Sequence, residues 1–234
     1  AYDQPYRIPH YRVRGHVTPS ALPIGYWRAV GASYGGFFFD SFIDEMAHAA
    51  GQDPLAFRIA MAREEHAPSA AVLETVGAMS NWSDASAQGR ALGVGFTYSF
   101  GSPVAQVIEV ARRGDGSIGL EKVWIAADVG VALDPGNIEA QLTGGCLFGL
   151  SAAVMGEITF DRGEAQQSNF YDYDALRMGA APAFEVQVLE NASYLGGVGE
   201  IGTPPAAPAL GNALFALTGN RVRRLPFNQA FDFA

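Results

Sequence analysis

Cysteine is almost missing from this sequence, because Cys146 is the only one in 234 residues. A single cysteine cannot form an internal disulfide, a four-cysteine zinc site or an iron–sulfur cluster. Any iron–sulfur cluster that works with this protein must therefore lie on another chain. The neighbours of Cys146 are glycine and apolar residues, with no basic group to stabilise a thiolate. We therefore predict a buried structural thiol.

Positive charge is also scarce. The chain has 15 Lys and Arg residues against 24 Asp and Glu residues, which gives a net charge of −9. A nucleic-acid binder needs a basic stripe to neutralise phosphates, and an anionic membrane surface also attracts basic segments. No run reaches the roughly 18 consecutive apolar residues of a membrane helix. We therefore expect no nucleic-acid partner and no membrane span within this sequence.

The common catalytic patterns are missing too. The four histidines have no partner ligands at recognisable spacing, so no side-chain metal site is predicted. No serine lies in a nucleophile-elbow context, which removes support for a hydrolase triad. Phosphate-binding glycine motifs are absent, since Gly93-x-Gly95 lacks the third glycine and the helix that should follow it.

What remains is a well-folded chain, with 49% apolar and only 17% charged residues. Helical periodicity and capping residues alternate with β-rich runs without a regular βαβ rhythm, so the predicted class is α+β. Small polar residues at 83–90 are the predicted linker between residues 1–86, loop-rich and helical, and residues 87–234, an α+β segment. Helices are predicted over 39–50, 53–63, 69–82, 138–155 and 206–217, and strands over 104–110, 122–129, 158–160 and 184–189.

Several residues mark the ends of these elements. Asp53 and Pro54 are predicted as the N-cap and first residue of the second helix. Thr203 is predicted as the N-cap of the last helix, and Gly219 as the residue that ends it. In the first helix, the apolar residues Phe42, Ile43, Met46 and Ala47 recur at the spacing of one helix face.

Three glycine-rich stretches could carry chemistry. In the first, Glu200 lies in a run of glycines just before a capped helix, where free backbone amides and a carboxylate could meet a ligand. The alternative is a solvated glutamate in a glycine-rich turn near a helix N-terminus. The second contains Trp27-Arg28, which could bind a phosphate or oxo ligand or could buttress its own loop as a stacked pair. The third, 144–150, is predicted to serve close packing.

Four longer segments carry a resemblance to a known family. They read GYWRAVGASYGGFFFDSFIDEMAHAAGQDPLAFR, DVGVALDPGNIEAQLTGGCLFGLSAAVMGEITF, QSNFYDYDALRMGAAP and GGVGEIGTPPAAPALGNALFALTGNRVRRLP. Together they resemble the molybdopterin-binding large subunit of the xanthine dehydrogenase and aldehyde oxidase superfamily. The isoquinoline 1-oxidoreductase β-subunit type, which includes bacterial aldehyde dehydrogenases, is the most similar. The resemblance covers nearly the whole chain in one consistent order.

The resemblance implies a fold and a catalytic residue. The expected fold is the C-terminal part of that large subunit, with mixed sheets and flanking helices. In the family, the glutamate of the Gly-x-Gly-Glu motif deprotonates a hydroxyl on molybdenum, and the oxygen attacks an electron-poor carbon while hydride passes to a sulfido ligand. By motif match this base is Glu200, and no protein side chain ligates the metal.

The resemblance also implies the surroundings of the base. Trp27, Arg28, Ala29 and Val30 match the segment that lines the metal and substrate side. The backbone contacts to the cofactor are expected from Gly197, Val198 and Gly199. Family members often have Phe and Gly where this chain has Trp27 and Ala29. A further pterin-binding loop of the Gly-Gln-Gly type has no counterpart here, so we expect one wall of the pocket rather than the whole cofactor cradle.

The expected cofactor is molybdenum–molybdopterin in its cytosine dinucleotide form, with [2Fe-2S] clusters on a partner chain. The expected partners are the remainder of the large subunit, a small iron–sulfur subunit, a small-molecule substrate and, as a further candidate, a cytochrome c subunit. The predicted function is oxidation of an aldehyde or N-heterocycle with oxygen from water. The alternative is a non-catalytic scaffold subunit that keeps the fold. We expect a periplasmic or membrane-associated location through partners, with the cytoplasm as the alternative.

Overall fold

The computed structural model describes residues 4–84, 89–191 and 193–234. In chain order, its main elements are helix α1 Val30–Ala49, α2 Pro54–Glu65, α3 Ala67–Met79, strands β1 Arg90–Ser99, β2 Ser102–Arg112 and β3 Ile118–Asp128, helix α4 Pro135–Val154, strands β4 Phe160–Asp161, β5 Glu164–Ala165 and β6 Ala183–Leu189, and helix α5 Ala206–Thr218.

Four strands form one mixed sheet in the order β1-β2-β3-β6. The first two pairs are antiparallel, while β6 lies parallel to β3. Because successive residues of a strand point to opposite faces, Ile108 and Val107 face two different apolar clusters. Helices α4 and α5 cover one face of the sheet, and α3 covers the other, with α2 packed against α3. The predicted class, α+β with a mixed sheet and flanking helices, is confirmed.

Helix α5 lies in direct contact with the backbone of β1. A Cβ placed on Gly93 would come within 2.0 Å of the Ala213 nitrogen, and one on Gly95 within 2.4 Å of the Pro205 oxygen. Only glycine allows a helix to approach a strand so closely. This contact fixes the segment that enters α5, which is the segment that carries Glu200.

The predicted strands at 104–110, 122–129 and 184–189 are confirmed as parts of β2, β3 and β6. The strand predicted at 158–160 reduces to β4, one side of a two-residue hairpin with β5. The helix predicted at 69–82 starts at Ala67 and ends at Met79. Of the predicted linker 83–90, residues 85–88 lie outside the described residues, as does the division at 86/87, and Arg90 already belongs to β1. The division therefore stays a prediction.

Helix α1 begins at Val30 rather than at residue 39, so the prediction placed its start too late. The extra turns contain Gly31, Gly35 and Gly36, which disfavour a helix in isolation. Tertiary contact overrides this preference, because a Cβ on Gly36 would lie 2.9 Å from the Pro204 oxygen. Close packing against the segment before α5 thus requires a glycine in the helix.

Two of the predicted helix ends are confirmed and one is wrong. Asp53 caps α2 by accepting a hydrogen bond from the Ala56 N–H at 2.8 Å, and Gly219 ends α5 in the left-handed conformation. Thr203 does not cap α5, whose N-cap position is Pro205. The Thr203 hydroxyl donates instead to the carbonyl of Gly145 at 3.0 Å, because α4 lies against this turn.

None of the helices in the described ranges is both long enough and apolar enough to cross a membrane.

Candidate active site

The site centres on a hydrogen bond between two distant loops. The backbone N–H of Ala29 donates to Oε1 of Glu200 at 3.0 Å, across 171 positions of sequence. Glu200 is half-buried, and its Oε2 makes no hydrogen bond with any described residue. The carboxylate is therefore held by one oxygen, while the other is free to accept a proton.

The loop that donates this bond has an unusual backbone. The Val30 N–H closes a turn onto the Trp27 carbonyl at 2.8 Å, and α1 begins directly at Val30. Ala29 has φ 68° and Val30 has φ 46°, so two consecutive residues with side chains adopt the left-handed region. This conformation is rare for alanine and a genuine outlier for a β-branched residue. Such strain is typical of binding and catalytic sites, where the surrounding structure maintains it.

Arg28 ties the two loops together a second time. Its Nε and Nη2 donate to the Gly199 carbonyl at 3.2 and 2.5 Å, and Nη2 also donates to Oε1 of Gln141 at 2.8 Å. The guanidinium lies 5.7 Å from the centre of the Phe148 ring, and the Trp27 ring lies 4.8 Å from the same ring. Arg28 therefore holds the Glu200 loop and stacks on Phe148, whereas the sequence interpretation paired it with Trp27 to buttress its own loop. Only Nη1 has no hydrogen bond to the described part of the chain.

Helix α4 supports the other end of the Glu200 turn. A Cβ on Gly202 would lie 2.4 Å from the Leu142 oxygen, and one on Gly149 would lie 2.7 Å from the Thr203 oxygen. These distances confirm close packing as the role of the glycines in 144–150, with the exception of Gly144, whose Cβ would meet open space. Because the backbone of α4 lies directly against the backbone of the Glu200 turn, the turn has little room to move.

A buried pair of side chains adds to this support. The Gln106 amide donates to the Gly202 carbonyl at 2.8 Å, and Cys146 Sγ donates to Oε1 of Gln106 at 3.4 Å. Cys146 is fully buried, and burial raises the pKa of its thiol well above the usual range. A thiol held in this way is a poor nucleophile, which agrees with the structural role predicted from the sequence.

An aromatic pocket borders the strained loop. A cavity of about 550 Å³ is bounded by Ala29 and Val30 on one side and by residues of α1, the β1–β2 hairpin and the N-terminal segment on the others. Phe100, in that hairpin, also accepts the Gly197 N–H through its carbonyl at 2.8 Å. The further lining residues are Val13, Arg14, Gly31, Ala32, Tyr34, Gly35, Phe38, Tyr98, Ser99 and Phe100.

A family model for the molybdopterin cofactor-binding domain matches residues 37–182, more than half of the chain. The chain belongs to this family. The matched range lies between the two loops of the site, because it begins after Val30 and ends before Gly197. The resemblance found in the sequence is thereby confirmed.

Curated relatives extend the likeness to almost the whole domain. It is 34% identical over 229 residues to the isoquinoline 1-oxidoreductase subunit beta of Brevundimonas diminuta, covering 96% of this chain and 29% of that protein. It is 29% identical over 252 residues to a membrane-bound aldehyde dehydrogenase of Gluconacetobacter polyoxogenes, covering 97% of this chain and 32% of that protein. This molybdopterin-binding domain thus spans about a third of the length of these two relatives.

Solved structures support the fold of the domain. Quinoline 2-oxidoreductase from Pseudomonas putida 86 superposes with a TM-score of 0.76 at 11% identity, covering 89% of this chain and 53% of that one. The aldehyde oxidoreductase of Desulfovibrio desulfuricans superposes with a TM-score of 0.72 at 14% identity, covering 88% and 41%. At these identities the likeness concerns the fold alone.

The backbone around Glu200 fits the oxygen-rich group that such a domain binds. The N–H groups of Arg28, Gly31, Val198 and Gly199 make no hydrogen bond with the residues described here, and a Cβ on Gly199 would meet nothing within 4 Å. Free amides on an open glycine face are typical of sites for oxo and phosphate oxygens. Among the described residues, no cluster of His, Cys, Asp and Glu side chains could hold a metal ion.

The structure brings together most of the residues that the sequence predicts for this site, and it adds supporting residues that the sequence does not predict. The structure brings Trp27, Arg28, Ala29 and Val30 next to Glu200 and Gly199 through the contacts above. It also adds Gln141, Gln106 and Phe148, which the sequence analysis did not single out. Phe148 lies within the glycine-rich stretch 144–150, but the two glutamines belong to no motif that would have marked them.

Proposed function

We propose that this domain supplies the catalytic base of a molybdenum-dependent hydroxylase or dehydrogenase that oxidises an aldehyde or an N-heterocycle. The observation that carries the proposal is the Ala29–Glu200 hydrogen bond, which leaves one carboxylate oxygen free beside an open glycine face. Membership of a molybdopterin-binding family supplies the chemical context.

The reaction replaces a C–H bond of the substrate with a C–O bond whose oxygen comes from water, and releases two electrons and two protons. When bound, the molybdenum group supplies the acceptor for the two electrons. Glu200 would take a proton through Oε2 from the water-derived nucleophile, while the Ala29 N–H holds Oε1 in place. Trp27 and Val30 line a second cavity of about 750 Å³ and would form a wall of the substrate side there. Val30 also borders the aromatic pocket.

The cofactor would contact Trp27, Arg28, Ala29 and Val30 on one loop and Gly197, Val198 and Gly199 on the other. We propose the cytosine dinucleotide form of the cofactor, and [2Fe-2S] clusters on a small iron–sulfur subunit that receives the electrons. The lone buried cysteine supports this division, because the sequence holds no cluster ligands of its own. A cytochrome c subunit is a further proposed partner.

An exposed aromatic stripe supports the remainder of the large subunit as a partner. Tyr34, Phe38 and Phe42 recur every fourth residue on α1 and are 63%, 64% and 57% exposed. Exposed apolar surface of this extent is typical of a protein interface. Tyr34 and Phe38 of the stripe also line the aromatic pocket beside Val30, so a partner that covers the stripe would also close that pocket.

A periplasmic or membrane-associated location, reached through partners, is also proposed, with the cytoplasm as the alternative. One of the curated relatives is named a membrane-bound enzyme, which motivates this choice. Fractionation of cells that express the full complex tests it.

The competing proposal is a scaffold subunit that keeps the fold without the chemistry. Its support is the likeness to solved structures, which at 11% and 14% identity concerns the fold and not the chemistry. Elemental analysis of the purified full complex separates the two. Molybdenum, with cytosine nucleotide released by acid hydrolysis, supports the enzyme, and a metal-free complex supports the scaffold.

A further inference from the structure

We propose that Gln141 is a positioning residue for Glu200, acting through Arg28. The proposal rests on the function proposed above, because it concerns the same base. Gln141 lies on α4 and its Oε1 accepts a hydrogen bond from Arg28 Nη2 at 2.8 Å. The same nitrogen donates to the Gly199 carbonyl, one residue before Glu200.

Gln141 first restricts the motion of the Arg28 side chain. An arginine side chain loses much rotational freedom when it is held in one geometry, so two acceptors hold it better than one. The second acceptor comes from α4, a helix of 20 residues whose N-terminus is capped by Asp134. Gln141 therefore fixes the Arg28 side chain relative to α4, which is a rigid element.

The second step is that both ends of the Glu200 turn depend on this helix. Before Glu200, the Gly199 carbonyl is held by Arg28 and thus by Gln141. After Glu200, Gly202 lies against Leu142, the residue next to Gln141, at a distance that admits no side chain. Contacts before and after Glu200 thereby fix its carboxylate relative to the Ala29 N–H. This position matters because a reaction slows steeply when its catalytic base is misplaced.

The third step concerns charge. Arg28 and Glu200 form no ion pair in the described part of the chain. They are nevertheless close, because Arg28 donates to the carbonyl of Gly199, the residue before Glu200. The acceptors of the guanidinium are neutral, namely an amide oxygen and a backbone carbonyl. Gln141 thus keeps the guanidinium on the backbone and away from the carboxylate, because an ion pair would hold the oxygen that must accept a proton.

The test uses the complete, cofactor-loaded complex with Gln141→Leu, Gln141→Glu and, as a matched control, Glu139→Leu. Glu139 lies on the exposed surface of the same helix, and its side chain makes no hydrogen bond or ion pair with the described residues. The first readout is hydrogen–deuterium exchange at Ala29 and Thr203, whose N–H groups are bonded to Glu200. The second is the turnover of one aldehyde and one N-heterocycle that the wild-type complex oxidises.

In Gln141→Leu, we expect exchange at Ala29 and Thr203 to become roughly tenfold faster, with the Ala56 amide as an unaffected reference. We expect kcat to fall roughly tenfold with KM within about twofold and with unchanged molybdenum content. Gln141→Glu keeps an acceptor for Arg28, so the exchange at Ala29 and Thr203 should return toward the wild type. Glu139→Leu should change neither.

Unchanged exchange in Gln141→Leu, or an equal change in Glu139→Leu, would overturn the positioning role. Failure of Gln141→Glu to restore the exchange would do the same. The exchange readout does not depend on turnover. If Glu200→Gln proves fully active, the proposed function fails, while the exchange data still decide whether Gln141 positions the loop.

Discussion

The N–H of Ala29 and the carboxylate of Glu200 meet at 3.0 Å although 171 positions separate them in the sequence. The bond joins a strained turn at the start of α1 to a glycine-rich turn before α5. One consequence is that a backbone group, not a side chain, holds the proposed base. The identity of residue 29 should therefore matter through its backbone geometry alone.

Substitution at Ala29 tests this consequence. Ala29→Gly keeps the N–H and suits a φ of 68°, so we expect activity within about threefold of the wild type. Ala29→Pro lacks the N–H and fixes φ near −65°, so it should lower kcat by roughly 10²-fold at full cofactor loading. Steady-state kinetics of both variants, each with its molybdenum content, provide the measurement. Equal activity of Ala29→Pro and Ala29→Gly would contradict this account of the loop.

Two glycines of α4 provide a matched pair for the packing argument. A Cβ on Gly149 would lie 2.7 Å from the Thr203 oxygen, so Gly149→Ala should destabilise the domain by about 2 kcal/mol or more. A Cβ on Gly144 would meet open space, so Gly144→Ala should be neutral or should stabilise by up to about 1 kcal/mol. Thermal unfolding of the complex measures both changes. Similar shifts for the two variants would argue against backbone contact between α4 and the Glu200 turn.

Cys146 should affect stability more than turnover. Cys146→Ser keeps a donor for Gln106 but places a hydroxyl in an apolar environment, so we expect a loss of about 1–3 kcal/mol. The cofactor content and kcat should remain near the wild-type values, because the thiol does not reach the proposed site. A variant that unfolds normally, keeps its cofactor and is inactive would show that the thiol has a chemical role.

The aromatic stripe predicts that this domain needs a partner. Expressed alone, the 234-residue chain should aggregate or bind a hydrophobic dye, because Tyr34, Phe38 and Phe42 are exposed. Co-expression with the remainder of the large subunit should remove the dye binding. A monodisperse monomer that unfolds cooperatively without a partner would be evidence against this dependence.

The sequence predicted the sheet and the site loops better than it predicted the helix faces. Val107 and Ile108 alternate in a strand whose two faces are both covered, and β-rich runs of this kind are recognisable locally. The spacing of Phe42 and Ile43 suggested one buried face of α1, yet Phe42 is 57% exposed. The periodicity of one chain does not distinguish an apolar residue that faces its own core from one that faces a partner.

Charged residues differ from the sequence expectation in the opposite direction, because some that were expected at the surface are buried. Asp40 is fully buried on α1, where it pairs with the buried Arg58 at 2.8 Å. Local patterns place such residues at the surface, because the cost of burial is offset only by a partner from another helix. The same reason explains why Gln141 was missed: its role depends on Arg28, which lies 113 positions away. Motif residues such as Glu200 carry a local signal, whereas their supports do not.

The Glu200→Gln variant of the complete complex tests the central claim most directly. Glutamine keeps the shape of the side chain and can still accept the Ala29 N–H, but it cannot take a proton. We predict full molybdenum content, normal folding and a fall in kcat of about 10²–10⁴-fold. Near-normal turnover at full molybdenum loading would contradict the role of Glu200 as the base and would leave the scaffold proposal.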